Sequence, residues 1–259
     1  MERAARIVQL SDCHLGPAAD FRLAGVHPAA TLRAVLAAVA TARPDLVVVT
    51  GDLAADGEPA AYRRLADLLG ETALPWRWLP GNHDDPATAR RWLPEGSGPG
   101  EVELAGWRLL LLDSTARGQV GGRLGAARLA RLAAALAAGD EPALLFLHHP
   151  PIPVGCRWLD RQRLADAQSL ADLLARHPRV RALFAGHVHQ EAAGELAGAA
   201  VYTTPSTCFQ FAPASDDFAL DTAPPGWRWI DLHRGGAFAT GVARVEVPGE
   251  AVDRATRGY

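Results

Sequence analysis

Five short apolar runs in this chain are each followed at once by residues of metal-ligand type. IVQL ends in Ser11-Asp12-Cys13-His14, LVVVT in Gly51-Asp52, and WRWLP in Gly81-Asn82-His83-Asp84. ALLFL ends in His148-His149-Pro150-Pro151, and ALFA in Gly186-His187-Val188-His189. Several of these runs are separated by Ala/Leu-rich stretches of helical period, and that alternation predicts an α/β chain. The carboxyl ends of parallel strands converge on one crevice, so segments far apart in sequence can meet there.

The spacing predicts strands over Arg6–Leu10, Asp45–Thr50, Trp76–Leu79, Trp107–Leu112, Ala143–Leu147, Val180–Ala185 and Ala200–Thr203. Helices are expected over Ala29–Thr41, Ala60–Leu69, Arg123–Ala138 and Ser169–His177, with two later strands over Trp227–Leu232 and Gly241–Val247. LVVVT is apolar on both faces, which suits a strand covered on both sides. Two packed sheets with helices outside are the preferred architecture; one doubly wound sheet is the alternative. With 259 residues and no stretch of linker composition, the expectation is a single domain over 1–259.

Asp12 and His14 are two apart, as are His187 and His189, so each pair projects to one side of an extended chain. Gly51, Gly81 and Gly186 each precede a key residue where a tight turn or close backbone approach is expected. Two cations held close together repel, and a bridging carboxylate offsets that repulsion; Asp52 suits the bridge. Asp12, His14 and His189 then serve one ion, and Asn82, His148 and His187 the other. Carboxylate, amide oxygen and imidazole donors without thiolate favour manganese, iron, zinc or cobalt over copper(I) or an iron–sulfur cluster.

Composition removes rival chemistries. All 26 basic residues are Arg, which excludes a Schiff-base or P-loop lysine. The three cysteines, Cys13, Cys156 and Cys208, show no paired spacing, so neither a disulfide framework nor a thiolate zinc site is expected. A net charge of -3 argues against nucleic-acid partners. No apolar run reaches membrane-spanning length and the start lacks a signal-peptide apolar core, so no membrane partner and a cytoplasmic location are expected.

Taken in order, D-x-H, GD, GNHD, HH-P and GHVH resemble the calcineurin-like metallophosphoesterase superfamily, from Asp12 to His189. The resemblance implies a four-layer αββα sandwich of two mixed sheets and the ligand set Asp12, His14, Asp52, Asn82, His148, His187 and His189. It implies a catalytic group of His83, Asn82 and His14, with His83 reaching the scissile phosphate instead of a metal. His149 then takes a supporting role, while His27, His177 and His233 lie outside the motifs.

The stretch Pro205–Leu232 is similar to the C-terminal segment of bacterial class III 3′,5′-cyclic-AMP phosphodiesterases. That likeness implies hydrolysis of cyclic AMP to 5′-AMP by in-line attack of hydroxide generated between two metal ions. The segment is expected to cap the cleft or contact a second copy in a homodimer, with Phe209, Phe211 and Phe218 as stacking candidates. Two departures stand out: Cys13 where Thr is commoner, and Asp56 four residues after Asp52 instead of three. The group that orients His83 is therefore left among Asp56, Asp84 and another acid. The alternatives are a broader phosphodiesterase acting on 2′,3′-cyclic nucleotides, glycerophosphodiesters or nucleotide pyrophosphates, and, less favoured, a non-catalytic interaction module.

Overall fold

A computed structural model describes residues 3–258. The first sheet contains β1 (Arg3–Leu10), β2 (Leu46–Thr50) and β3 (Trp76–Leu79), mutually parallel. The second contains β4 (Gly100–Leu104), β5 (Trp107–Leu111), β6 (Ala143–Leu147), β7 (Val180–Ala185), β8 (Ala192–Leu196) and β9 (Ala199–Thr203), in the order β4-β5-β6-β7-β9-β8. Its four inner strands are parallel and its two edges antiparallel. A two-stranded ribbon pairs β10 (Gln210–Phe211) with β11 (Leu220–Asp221). The chain then returns to the first sheet as β12 (Gly226–His233) and β13 (Phe238–Arg244), giving the order β13-β12-β1-β2-β3.

Alternation along the buried strands builds the layers. Val8, Leu10, Val47 and Val49 face α1 (Pro28–Ala42) and α2 (Pro59–Gly70), packing with Leu32, Val35, Tyr62 and Leu65. Ile7, Leu46 and Val48 point the other way and meet Leu109, Leu144, Phe146 and Phe184 of the second sheet. The second sheet's outer face packs on α4 (Gly125–Ala137) and α6 (Ala167–Leu174) through Leu132, Leu136, Leu170 and Leu173. Helix, sheet, sheet, helix is the four-layer order. The shorter α3 (Pro86–Trp92) and α5 (Arg157–Asp160) flank the carboxyl ends of the strands.

The predicted elements are present with shifted ends, and Gly241–Val247 moves most. Gly235 and Gly236, both at positive φ, close the β12–β13 hairpin early and set the register Leu232↔Phe238. The edge strands β4 and β8 and helices α3 and α5 had no expected counterpart; β4 and β8 lack the continuous apolar run of a strand covered on both faces. None of the helices described is long and apolar enough to cross a membrane.

Candidate metal centre

The strand-end motifs all arrive at one place. Asp12 and His14 follow β1, Asp52 follows β2, Asn82 and His83 follow β3, His148 and His149 follow β6, and His187 and His189 follow β7. Asp12, His14, Asp52, His187 and His189 take left-handed φ angles of 55°, 46°, 48°, 70° and 47°. Such conformations cost of order 1–3 kcal/mol each and persist where surrounding bonds impose them. Here the backbone zips the first two loops together, with Asp12 N donating to Gly51 O (3.0 Å) and His14 N to Asp52 O (2.9 Å). Across the sheets, His187 N donates to both Asp12 carboxylate oxygens at 3.1 Å.

These bonds aim acceptors at a common centre. His148 Nδ1–H donates to Thr50 O (2.8 Å), which turns Nε2 toward the centre, 3.3 Å from Asp52 Oδ2 and 3.2 Å from Asn82 Oδ1. His189 Nδ1–H donates to Phe209 O (2.8 Å), and its Nε2 lies 3.1 Å from His14 Nε2 and 3.5 Å from Asp12 Oδ1. Asp52 Oδ2 is also 3.8 Å from His14 Nε2, so one carboxylate lies between the two histidine groups. Potential ligand atoms of Asp12, His14 and His189 fall within 4.8 Å of one another, as do those of Asp12, Asp52 and His148. His187 Nε2 is buried without a hydrogen-bond partner among the described residues. Lone pairs that converge this closely, beside an orphaned buried imidazole nitrogen, are what a bound cation relieves, and the donor set fits the transition metals expected from the sequence.

Electrostatics agree. Burial pushes His14 and His187 well below the ordinary histidine range, so both are neutral and able to ligate. Burial opposes charge on Asp52 too, but the His148 and His83 imidazoles outweigh it and hold the carboxyl well below its usual range. His148 is likewise opposed by burial, yet Asp52 raises it to about 9. Cys13 packs into the core under α1 and α2, where burial pushes its thiol up to about 12, so no thiolate faces the site.

His83 is oriented differently from expectation. Its Nδ1–H donates to the Ala55 carbonyl (2.9 Å) and its backbone N to Asp52 Oδ1 (2.9 Å). Asp84 is committed elsewhere, accepting from Gly81 N (2.9 Å), Leu53 N and Ala54 N (both 3.1 Å) and Tyr62 Oη (3.2 Å). A carbonyl could not be read from side-chain types. Asp84 and Tyr62 instead pin the Gly81–Asp84 loop to the loop after Asp52.

His149 stands beside the centre with both nitrogens engaged. Nε2–H donates to Val120 O (2.9 Å), and Nδ1 accepts from Ser114 Oγ (2.9 Å). Burial lowers it to about 3, so it stays neutral.

Above the cluster lies a cavity of about 300 Å³, with Asp52, Asn82, His83 and His187 on one side. Val120, Trp158, Leu159, Gln162, Phe211, Phe218 and Gly258 form the remainder. Of the three Phe stacking candidates, Phe211 and Phe218 line it. Phe209 does not: it is fully buried and packs on His14 and His189, with ring centroids 5.9 and 5.0 Å away. The segment 205–232 thus divides, its first part bordering the cavity and its last part, within β12, pairing with β1. Val120 and Gln162 carry no motif, and the sequence offered no signal for them.

Acidic and imidazole donors gathered at the carboxyl ends of two facing sheets form a cluster able to hold metal ions. The sequence profile described as calcineurin-like phosphoesterase matches residues 5–191, and the chain belongs to that family. It is 42% identical to the 3′,5′-cyclic adenosine monophosphate phosphodiesterase CpdA of Pseudomonas aeruginosa, over 98% of this chain and 94% of that protein. Its identity to the protein of the same name from Escherichia coli K12 is 40%, over 100% and 96%. In fold it resembles a dimetal phosphatase from Danio rerio, with a TM-score of 0.68 and 17% identity over 92% of this chain and 99% of that one.

Proposed function

We propose that the protein is a metal-dependent phosphodiesterase that hydrolyses 3′,5′-cyclic AMP to 5′-AMP. The observation that carries this reading is the extent of similarity to relatives bearing that activity's name, which spans the strand-end motifs and the cavity wall alike. Asp12, His14 and His189 would hold one ion and Asn82, His148 and His187 a second, with Asp52 shared between them. Iron and manganese are the metals we favour, with zinc and cobalt compatible. When bound, such ions polarise phosphate oxygens and acidify water at neutral pH.

The remaining work falls to the chain. Asp52 offsets repulsion between cations, while Thr50 O and Phe209 O fix the ring orientations of His148 and His189. Because Ala55 O holds the Nδ1 proton of His83, the proton this residue exchanges is at Nε2. From there His83 protonates the departing 3′-oxygen, a poor leaving group as an alkoxide. The first part of segment 205–232 forms the nucleoside side of the cleft in a chain that acts as one domain.

The test is to incubate metal-reconstituted protein with cyclic AMP and identify the product by chromatography. 5′-AMP is expected. Formation of 3′-AMP, or turnover of bis(p-nitrophenyl) phosphate with none of cyclic AMP, refutes the substrate assignment.

A further inference from the structure

We propose that the side-chain amide of Gln162 reads the purine edge of the nucleotide and sets adenine over guanine. This rests on the cyclic-nucleotide reading and deepens it by naming the residue that selects the base. Gln162 lies just beyond α5, half-buried, and lines the same cavity as Asn82 and His83. Its neighbours are tied down, with Asp160 Oδ1 accepting from Val154 N (2.7 Å) and Arg163 Nε donating to Asp160 O (2.8 Å). The Gln162 carboxamide makes no hydrogen bond with any described residue, so it brings one acceptor and two donor hydrogens to the cavity.

Around it the surface is apolar. Val120 is 51% exposed, the more open of the two exposed large hydrophobic residues among those described, and it lines the same cavity. Trp158 stands edge-on to Phe211 (4.9 Å between centroids, 82°) and 5.4 Å from Phe218. An apolar wall whose free polar groups are the Gln162 amide and the buried Trp158 indole N–H, which has no partner among the described residues, matches a planar base with polar groups along one edge.

Reading an edge requires a rigid mount, and the backbone supplies one. Gly122 N donates to Arg163 O (3.2 Å) and Ala165 N to Gly122 O (2.8 Å), joining the loop that carries Val120 to the loop that carries Gln162. A Cβ on Gly121 would stand 3.5 Å from Gln162 Cα, which records how closely the two loops approach. The His149 bond to Val120 O anchors the pair to the residue beside His148.

Adenine presents the N6 amino donor next to the N7 acceptor, which a carboxamide pairs with through both its groups. Guanine presents two acceptors, O6 and N7, and leaves the amide oxygen facing one of them. An arginine fits that pair instead. A bidentate pair discriminates by between about 5- and 150-fold.

The test compares kcat/KM for cyclic AMP and cyclic GMP in wild-type protein, Gln162→Leu and Gln162→Arg. Metal content and turnover of bis(p-nitrophenyl) phosphate serve as the check that each variant is folded and loaded. Wild-type protein is expected to favour cyclic AMP at least tenfold, Gln162→Leu to bring the ratio near one, and Gln162→Arg to favour cyclic GMP. If wild-type protein turns over cyclic AMP but the ratio stays within twofold of wild type in both variants, the inference is overturned and the substrate reading stands. If wild-type protein cleaves the aryl diester but neither cyclic nucleotide, the substrate reading fails and takes the inference with it.

Discussion

Replacing Gly81 with alanine should uncouple the two loops that meet at Asp52. Gly81 does not have a left-handed φ, so space alone excludes a side chain there. An added Cβ would stand 2.1 Å from Asp52 Oδ1 and 2.3 Å from Asp52 N. The carboxylate cannot swing aside without losing His83 N–H, and the backbone nitrogen is itself in the way. Carbon contacts settle near 3.5 Å, so the loops must part by about 1 Å. Overpacking of this kind costs about 1–3 kcal/mol, which at this chain length lowers Tm by about 2–12 °C. A displacement of about 1 Å between reacting groups costs about 100-fold in rate, because Asn82 and His83 move with the loop. The assay is kcat on bis(p-nitrophenyl) phosphate alongside thermal unfolding, with Gly70→Ala, which has open space at its Cβ, as the control. Wild-type rate and Tm in Gly81→Ala would refute the reasoning.

His83→Ala should retain metal by elemental analysis yet lose about 10²- to 10⁴-fold in turnover, as removal of a general acid does; loss of an ion would make His83 a ligand. In metal-free protein His148 is raised to about 9 from an unfolded value near 6.5, so its contribution to stability is full below about pH 6.5 and gone once pH rises past about 9. Metal loading must displace that proton, so uptake at pH 7 should release about one proton from His148, measured by calorimetry in buffers of differing ionisation enthalpy; no release would contradict the assignment. Phe209→Ala should destabilise by about 3–5 kcal/mol and depress cyclic-AMP and aryl-diester turnover alike, since Phe209 supports His14 and His189 from behind; a loss confined to cyclic AMP would place it in the nucleoside site.

Much of the centre is legible in the sequence because each ligand type follows directly on a short apolar run. In parallel sheets that local adjacency fixes which end of the strand a side chain occupies, so Asp12, Asp52, Asn82, His148 and His187 could be gathered without coordinates. The two-faced burial of LVVVT likewise announces a layer on each side. The edge strands β4 and β8 escape because each is exposed on much of its length and lacks the apolar run that marks a covered strand. What only the tertiary structure decides is set by backbone atoms and by loops that meet across the cleft. The Ala55 carbonyl that orients His83, the Phe209 carbonyl that fixes His189, the burial of Phe209, and the opening of Val120 and Gln162 onto the cavity have no residue-type signature. Every residue has a carbonyl, and which one faces an imidazole depends on loop path, so side-chain identity determines the donors while three-dimensional packing determines how they are held.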